Sequence, residues 1–256
     1  MGVGLAVSVA RVHFEFAGCQ VLVTGGTSGI GAAIAACFRE AGAEVTVTGT
    51  RPGASDYDSD LSGYRYRSLQ LTDRSALDAL AGGLDALDVL VNNAGQNLPG
   101  GRSEWEPDVF EESLAINLSG AFRLAVACKP MLAKSSLAGG GSIVNLASMS
   151  SFFAVPVVPG YGAAKAGIVQ MTKNLAVAWA GDGVRVNAVA PGLIESNMTA
   201  VMKGVEALEG PQLARTPLGR WGQPGEIAPA VLFLASSAAS FVTGATLCVD
   251  GGYSAG

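Results

Sequence analysis

Residues 19–31 read CQVLVTGGTSGIG, and this stretch decides the fold. The β-rich run Cys19–Thr24 predicts a strand, and glycines 25, 29 and 31 follow it at once. Residues 32–40 are then apolar at helical spacing and stop at Gly42, and Glu44–Thr48 predicts a second strand. The stretch and its flanks therefore predict one complete βαβ unit.

The glycine-rich turn predicts a dinucleotide site. Its glycines let a pyrophosphate approach the backbone, and the helix beginning near Gly29 offers unpaired N–H groups and the positive end of its dipole. Thr50 stands where NAD-binding units place an acid for the ribose hydroxyls, and the adjacent Arg51 suits a 2′-phosphate. The sequence thus favours NADP(H), with NAD(H) possible, because an exposed loop arginine without a ligand would also account for Arg51.

The remaining chain alternates between predicted strands and helices. Further strands are predicted at Tyr64–Leu71, Leu87–Val91, Ile143–Ala147, Val184–Val189 and Thr246–Asp250. Helices are predicted from Thr72, over about 107–134, from the segment after Ser148 to about 180, and from 224 to 235. Seven strands in this alternation predict an α/β fold, a doubly wound parallel sheet with ligands at the carboxyl ends of the strands.

Domain organisation follows from the absence of repeats and of an interdomain linker. The sequence predicts one domain over residues 1–256, with an N-terminal extension at 1–16. Residues from about 195 to 212 are rich in methionine and small side chains, and they predict an insertion helix or substrate lid.

Composition excludes several classes of partner. Hydrophobic residues make up 49% and charged residues 14%, enough for a large core, and the net charge of −5 without a basic block argues against nucleic acid. No apolar run approaches the roughly 18 residues of a membrane span. The four cysteines show no metal-ligand spacing, so no metal site is predicted and a reduced, cytoplasmic setting is favoured.

A second informative stretch is SMSSFFAVPVVPGYGAAK, residues 148–165. Tyr161 and Lys165 are four apart and share one face of a helix, where the ammonium would lower the pKa of the phenol. Ser148 ends a predicted strand, so its hydroxyl could meet both groups at one substrate oxygen. A core tyrosine beside a solvated lysine is the bland alternative, but these features and the glycine turn all fall at strand ends or helix starts. Their co-location favours an active site.

Asn117 lies in an apolar part of the predicted helix at 107–134, among Leu114, Ile116 and Phe122. A polar amide in such surroundings needs hydrogen-bond partners. The residue could therefore be structural, or it could hold a water molecule.

From about Ala17 to the C-terminus, the chain resembles the short-chain dehydrogenase/reductase family. The motifs that carry the resemblance are TGGTSGIG at 24–31, NNAG at 92–95, Asn117, Ser148, YGAAK at 161–165, PG at 191–192 and DGG at 250–252. The segment PLGRWGQPGE at 217–226 makes the chain similar to 3-oxoacyl-carrier-protein reductases of this family. The resemblance implies a Rossmann domain, an NAD(P)(H)-dependent interconversion of a secondary alcohol and a ketone, and a homotetramer.

The resemblance also implies residue roles. Tyr161 would be the general acid in reduction and the general base in oxidation, and Lys165 would lower its pKa and bind the nicotinamide ribose. Ser148 would orient the substrate oxygen, and Asn117 would hold a water that links Lys165 to solvent. The cofactor-binding residues would be Gly25, Thr27, Ser28, Gly29, Ile30, Gly31, Thr50, Arg51, Gln70, Leu71, Asn92, Ala94, Gly95, Tyr161, Lys165, Pro191, Gly192, Ile194 and Ser196.

Three points qualify the resemblance. Gln70 replaces the acid that contacts adenine in many members, and Ser28 replaces a basic residue of some NADP-dependent ones, which leaves Arg51 as the sign of NADP preference. The four-residue Tyr–Lys spacing argues against the enoyl-reductase relatives, in which the two residues are further apart. A non-catalytic nucleotide-sensing or scaffolding protein on the same fold is the alternative, and the complete Asn–Ser–Tyr–Lys set disfavours it.

The substrate of such an enzyme is a small molecule that the sequence leaves unnamed. The candidate pocket residues are Gln96, Ser150, Phe153, Val155, Pro156 and Met198–Met202. Their mostly apolar character predicts a non-ionic substrate.

Overall fold

The computed structural model describes residues 12–256, whose seven strands form one parallel sheet in the order β3-β2-β1-β4-β5-β6-β7. The strands are β1 (Gln20–Val23), β2 (Glu44–Gly49), β3 (Arg65–Ser68), β4 (Val89–Asn92), β5 (Gly141–Leu146), β6 (Val184–Pro191) and β7 (Thr246–Val249). The strand order reverses between β1 and β4, and this switch point opens a crevice at the carboxyl ends. The predicted doubly wound parallel sheet is confirmed.

Seven helices surround the sheet within the described residues. They are α1 (Gly29–Glu40), α2 (Arg74–Gly82), α3 (Pro107–Leu114), α4 (Gly120–Leu132), α5 (Pro159–Trp179), α6 (Glu206–Arg215) and α7 (Pro224–Ala235). None of the helices in this part of the chain is long and apolar enough to cross a lipid bilayer.

Each face of the sheet carries its own core. Leu22, Leu90 and Ile143 pack with α2, α4 and α5, whereas their neighbours Val21, Val89 and Val144 pack with α1 and α7. Successive side chains of a strand point to opposite faces, so a strand buried on both faces becomes continuously apolar. This explains the short apolar runs 21–23 and 89–91 within β1 and β4.

The structure refines several predicted boundaries. β3 is shorter than predicted, because residues 69–71 leave the sheet edge and turn toward the crevice. The predicted lid begins as turns, and its helix, α6, starts only at Glu206. Of the predicted N-terminal extension, residues 1–11 lie outside the described residues, while Phe16 is buried against Phe38 with the ring centroids 4.9 Å apart.

The long helix predicted at 107–134 is interrupted. A π-helical turn, Ala115–Ser119, joins α3 to α4, and Asn117 is buried at its centre. Since the π turn loosens the regular ladder, the Ser113 carbonyl accepts a hydrogen bond from the Asn117 amide at 2.9 Å. α3, the π turn and α4 therefore form one continuous helix whose regular hydrogen-bond pattern is altered around the buried side chain of Asn117.

Candidate active site

A single cleft of about 890 Å³ runs along the carboxyl ends of the strands. Its walls come from the glycine turn after β1, the loops after β2, β4, β5 and β6, and the first turns of α5. All of the predicted cofactor residues except Asn92 line this cleft, and so do Ser148, Tyr161 and Lys165. The topology therefore gathers residues that are up to 171 positions apart, from Gly25 to Ser196.

The glycine turn has the shape that a phosphate needs. Gly25 has a positive φ of 64°, and a Cβ on Gly31 would lie only 2.2 Å from the Gly25 carbonyl oxygen. No acid occupies the first turn of α1, and Ser28 makes no side-chain cap, so the N–H groups of this turn face the cleft without a competing side chain. The residues fit a pyrophosphate.

Asn93 fixes this turn. Its amide nitrogen donates to the Thr24 carbonyl at 2.9 Å and to the Gly25 carbonyl at 3.2 Å, while its backbone N–H donates to the Thr24 hydroxyl at 3.0 Å. Asn92 lies differently from its predicted place, because its side chain points into the core and donates to Asn145 at 2.9 Å. Because successive side chains of a strand point to opposite faces of the sheet, Asn92 and Asn93 point in opposite directions.

The end of the cleft beyond β2 carries Arg51. Its guanidinium stacks 4.8 Å from the Tyr57 ring centroid, and its backbone N–H donates to the Tyr57 hydroxyl at 2.9 Å. Within residues 12–256 the side chain makes no ion pair with an acid. Gln70 reaches the Thr50 carbonyl at 3.5 Å. The guanidinium also donates to the Asp56 carbonyl, but no carboxylate of the described residues neutralises it, so its exposed charge beside Tyr57 fits a 2′-phosphate.

Helix α5 presents Tyr161 and Lys165 to the middle of the cleft. The Lys165 ammonium is 5.5 Å from the Tyr161 ring centroid and donates to the Leu146 carbonyl at 2.6 Å. Ser148 lies two residues beyond the end of β5, and its hydroxyl acts on the Tyr161 phenol by lowering its pKa. A strand end and one helix face thus bring a hydroxyl, a phenol and an ammonium together.

Burial sets the protonation of this group. It raises the pKa of Tyr161 to about 12, opposite in direction to the lowering predicted from Lys165, with an opposing hydrogen bond from Ser148 and a further increase from the Glu104 carboxylate. Burial also lowers the pKa of Lys165, to about 8. At neutral pH the phenol therefore carries its proton and most of the lysine remains charged.

Asn117 does not line the cleft but supports it. The side chain accepts from the Gln96 N–H at 2.9 Å and donates to the Gln96 carbonyl at 2.7 Å. A Cβ on Gly95 would lie 2.7 Å from the Asn117 oxygen and 3.6 Å from the Lys165 ammonium. Asn117 therefore fastens the loop after β4 next to Lys165, and its role toward a water molecule stays a prediction.

Most of the candidate substrate residues also meet in the cleft. Gln96, Ser150, Phe153, Val155, Met198 and Met202 line it, whereas Pro156 does not. Asn97, Glu112 and Tyr253 were missed by sequence reasoning, whereas Asn197 and Gln212 lie within the predicted lid at about 195–212; all five line the same cleft. They come from five separate segments, and no local pattern marks the three that were missed.

Several known proteins resemble this chain in sequence and in structure. Residues 25–254 match the family model described as enoyl-(acyl carrier protein) reductase. The chain is 40% identical over 250 residues to cis-4-hydroxycyclohexanecarboxylate dehydrogenase of Sinomonas cyclohexanicum, covering 94% of this chain and 98% of that protein. It belongs to the short-chain dehydrogenase/reductase family.

Two more relatives of this short-chain dehydrogenase/reductase bear on its chemistry. Galactitol 2-dehydrogenase of Cereibacter sphaeroides is 38% identical over 252 residues, covering 95% of this chain and 98% of the relative. The structure of a gluconate 5-dehydrogenase of Burkholderia cenocepacia J2315, in complex with NADP and tartrate, superposes with a TM-score of 0.83 at 32% identity, covering 95% and 98% of the two chains. The present chain is accordingly an NAD(P)-dependent oxidoreductase that acts on a CH–OH group.

Proposed function

We propose that this chain interconverts a secondary alcohol and its ketone with NADP(H), using Tyr161 as acid and base. The observation that supports this most is the convergence of Ser148, Tyr161 and Lys165 on the wall of the cleft that continues to the glycine turn and Arg51. NADP(H), when bound, supplies or accepts the hydride.

The protein's own residues handle the proton. In reduction the Tyr161 hydroxyl donates its proton to the carbonyl oxygen, while the Ser148 hydroxyl orients that oxygen. The Lys165 ammonium then stabilises the phenolate that Tyr161 becomes. In oxidation the phenolate accepts the proton of the alcohol. The matching family model is named for enoyl reduction, but the four-residue spacing of Tyr161 and Lys165 supports the reduction of a carbonyl group instead.

The pH dependence of the two directions is expected to differ. Because the pKa of Tyr161 is raised to about 12, its protonated form dominates at neutral pH, and ketone reduction should vary little there. Oxidation needs the phenolate, whose fraction grows about tenfold per pH unit below that pKa, so the oxidation rate should rise steeply from neutral pH to about pH 8. Above that pH the rise should flatten, because Lys165, whose pKa is about 8, loses the charge that stabilises the phenolate. Initial rates in both directions over a pH series test this. An oxidation rate that falls with rising pH would contradict it.

Replacing Arg51 with alanine is expected to weaken NADPH binding by about 10- to 100-fold, since a charge-assisted hydrogen bond contributes roughly 1.5–3 kcal/mol. Binding of NADH should change by less than about threefold, because NADH lacks the 2′-phosphate. Fluorescence titration with both nucleotides measures this. Arg67→Ala is the matched control, since Arg67 lies on the adjacent strand but outside the cleft. Equal losses for both nucleotides would contradict the assignment.

The substrate end of the cleft supports a neutral, hydroxylated substrate. Its polar lining consists of amides and hydroxyls: Gln96, Asn97, Ser150, Asn197, Gln212 and Tyr253. Among its described lining residues Glu112 is the one charged side chain, and it pairs with Arg102. Arg215, which stacks on Phe153 and Tyr253, is not among the lining residues, so an unpaired carboxylate in this end would contact no cation directly, a costly arrangement.

A substrate panel should therefore prefer neutral polyols, such as galactitol, over hydroxycarboxylates, such as gluconate and cis-4-hydroxycyclohexanecarboxylate. The competing cation is Arg215, whose guanidinium lies 4.0 Å from the Phe153 ring centroid and 4.6 Å from that of Tyr253. The panel is measured on the wild type and on Arg215→Met. A wild-type preference for a carboxylate that Arg215→Met abolishes would contradict the neutral substrate.

We also propose a homotetramer in the cytoplasm. Large apolar side chains lie exposed on α4 and α5: Phe122 and Val126 are about half exposed, and Val177 is 84% exposed. The four cysteines are free thiols, in keeping with a reducing compartment. Light scattering coupled to size exclusion tests the assembly, and a monomer at micromolar concentration would contradict it.

A further inference from the structure

Glu104 is a buried carboxylate that the proposed chemistry does not use. It lies between β4 and α3 and is 1% exposed. One oxygen accepts from the Leu98 N–H at 2.8 Å, and the other accepts from the Tyr161 N–H at 2.7 Å. A buried charge is costly unless it is hydrogen-bonded, so two such bonds indicate a specific place for this group.

The bond to Tyr161 caps helix α5. The helix begins at Pro159, so the Tyr161 N–H is among the first N–H groups, which have no partner within the helix. Val158, at the N-cap, offers no side-chain acceptor. The Glu104 carboxylate takes over that role from a distant loop, at the end of the helix where the dipole favours a negative charge. Gly160 leaves the space for it, since a Cβ there would lie 3.2 Å from the carboxylate oxygen.

The bond to Leu98 holds the loop that borders the substrate end of the cleft. Leu98 has a φ of 44°, and in residues 12–256 it is the one non-glycine residue with a positive φ. The neighbouring Trp105 ties the same loop to the segment before α5, because its indole N–H donates to the Pro156 carbonyl at 2.9 Å. A strained loop and the start of the catalytic helix thus meet at one carboxylate.

We propose that Glu104 is a positioning residue for Tyr161, holding the first turn of α5 and the loop 96–106 in one fixed arrangement. The inference rests on the proposed function. The Glu104 carboxylate acts through the backbone of Tyr161 and does not touch the reacting atoms.

The charge of Glu104 gives this role a signature that a purely structural contact lacks. The charged groups next to Tyr161 are Lys165 from the same helix and Glu104 from the loop, while Glu112 from α3 and Arg51 from the loop after β2 line the same cleft. The Glu104 carboxylate raises the pKa of Tyr161, so its removal makes the phenolate easier to form. The rise of the oxidation rate with pH should then shift to lower pH.

The test is Glu104→Gln, which keeps the size of the side chain but loses the charge and one acceptor. The expected result is a fall in kcat of roughly tenfold or more in both directions, since small displacements of a catalytic group are costly. NADPH binding should stay within about threefold of wild type, with the oxidation profile displaced to lower pH. Glu111→Gln, an exposed glutamate on α3, is the matched control and should match the wild type.

The outcomes are separable. A wild type without turnover would refute the proposed function, whereas an active wild type with an equally active Glu104→Gln variant and an unshifted profile would overturn this inference alone. If the glutamine variant does not fold, Glu104→Asp keeps the charge but shortens the reach. Its kcat should fall while its pH profile stays in place, and a kcat equal to wild type would overturn the proposal.

Discussion

Replacing Tyr161 with phenylalanine is expected to lower kcat by about 10²–10⁴-fold in both directions, the usual contribution of a positioned acid or base. The change removes one hydroxyl and keeps the ring that packs beside Lys165. NADPH affinity should stay within about threefold of wild type, because the lost group acts on the substrate. Steady-state rates and a nucleotide titration on the same sample measure both quantities.

The matched control for this substitution is Tyr253→Phe. Tyr253 lines the same cleft, and its hydroxyl donates to Gln212 at 3.1 Å, away from Lys165. Its loss should raise KM for substrate and leave kcat within a factor of about ten. A Tyr161→Phe variant as active as the wild type would remove Tyr161 from the chemistry.

Replacing Lys165 with methionine is expected to affect turnover and nucleotide binding together. The ammonium is 4% exposed and is the only cation within the described residues that lies against the Tyr161 ring. Without it the phenolate has no stabilising charge, so kcat should fall by at least about 10²-fold. Because we propose that Lys165 also binds the nicotinamide ribose, its loss should weaken NADPH binding by about 3- to 10-fold.

A measurement of Tm distinguishes this loss of function from destabilisation of the fold. The buried ammonium loses hydration that its bond to the Leu146 carbonyl replaces only in part, so a methionine of similar length should leave Tm unchanged or higher. Lys173→Met, on the exposed face of the same helix, is the control. A Lys165→Met variant that keeps full turnover would contradict the role of the ammonium.

The sheet was predictable because its strands carry their own signal. β5 and β6 are buried along their whole length, and their mostly apolar sequences end at glycine or proline. β3 was less predictable, since it lies at the sheet edge and is mostly exposed, so no alternation fixes where it ends. The π turn at Asn117 depends on a tertiary partner, Gln96, and no propensity within the helix announces it.

The site was predictable where chemistry demands a fixed local spacing. Gly25 and Gly31 follow from the backbone shape of the turn, and Tyr161 and Lys165 follow from helix geometry. Residues that act by reaching across the fold left no such trace. Glu104 precedes Tyr161 by 57 positions in the chain. Gln212, in α6, and Tyr253, after β7, are 41 positions apart and meet in the cleft.

Asn92 shows how a local motif can mislead. Two adjacent asparagines at a strand end look equivalent in the sequence, but the alternation of the strand sends them in opposite directions. Asn92 enters the core, and Asn93 locks the glycine turn. The family motif predicts the function of this strand end as a whole, but only the structure shows which face of the sheet each asparagine side chain occupies.

The most direct test of the whole account is one assay of the purified wild type with NADPH and a panel of neutral ketones, followed by the absorbance of the reduced nicotinamide. We expect saturable NADPH oxidation with at least one ketone, and the reverse reaction with the corresponding alcohol and NADP⁺. Tight NADPH binding without turnover of any ketone or alcohol would contradict it, and would instead support a nucleotide-sensing protein on the same fold.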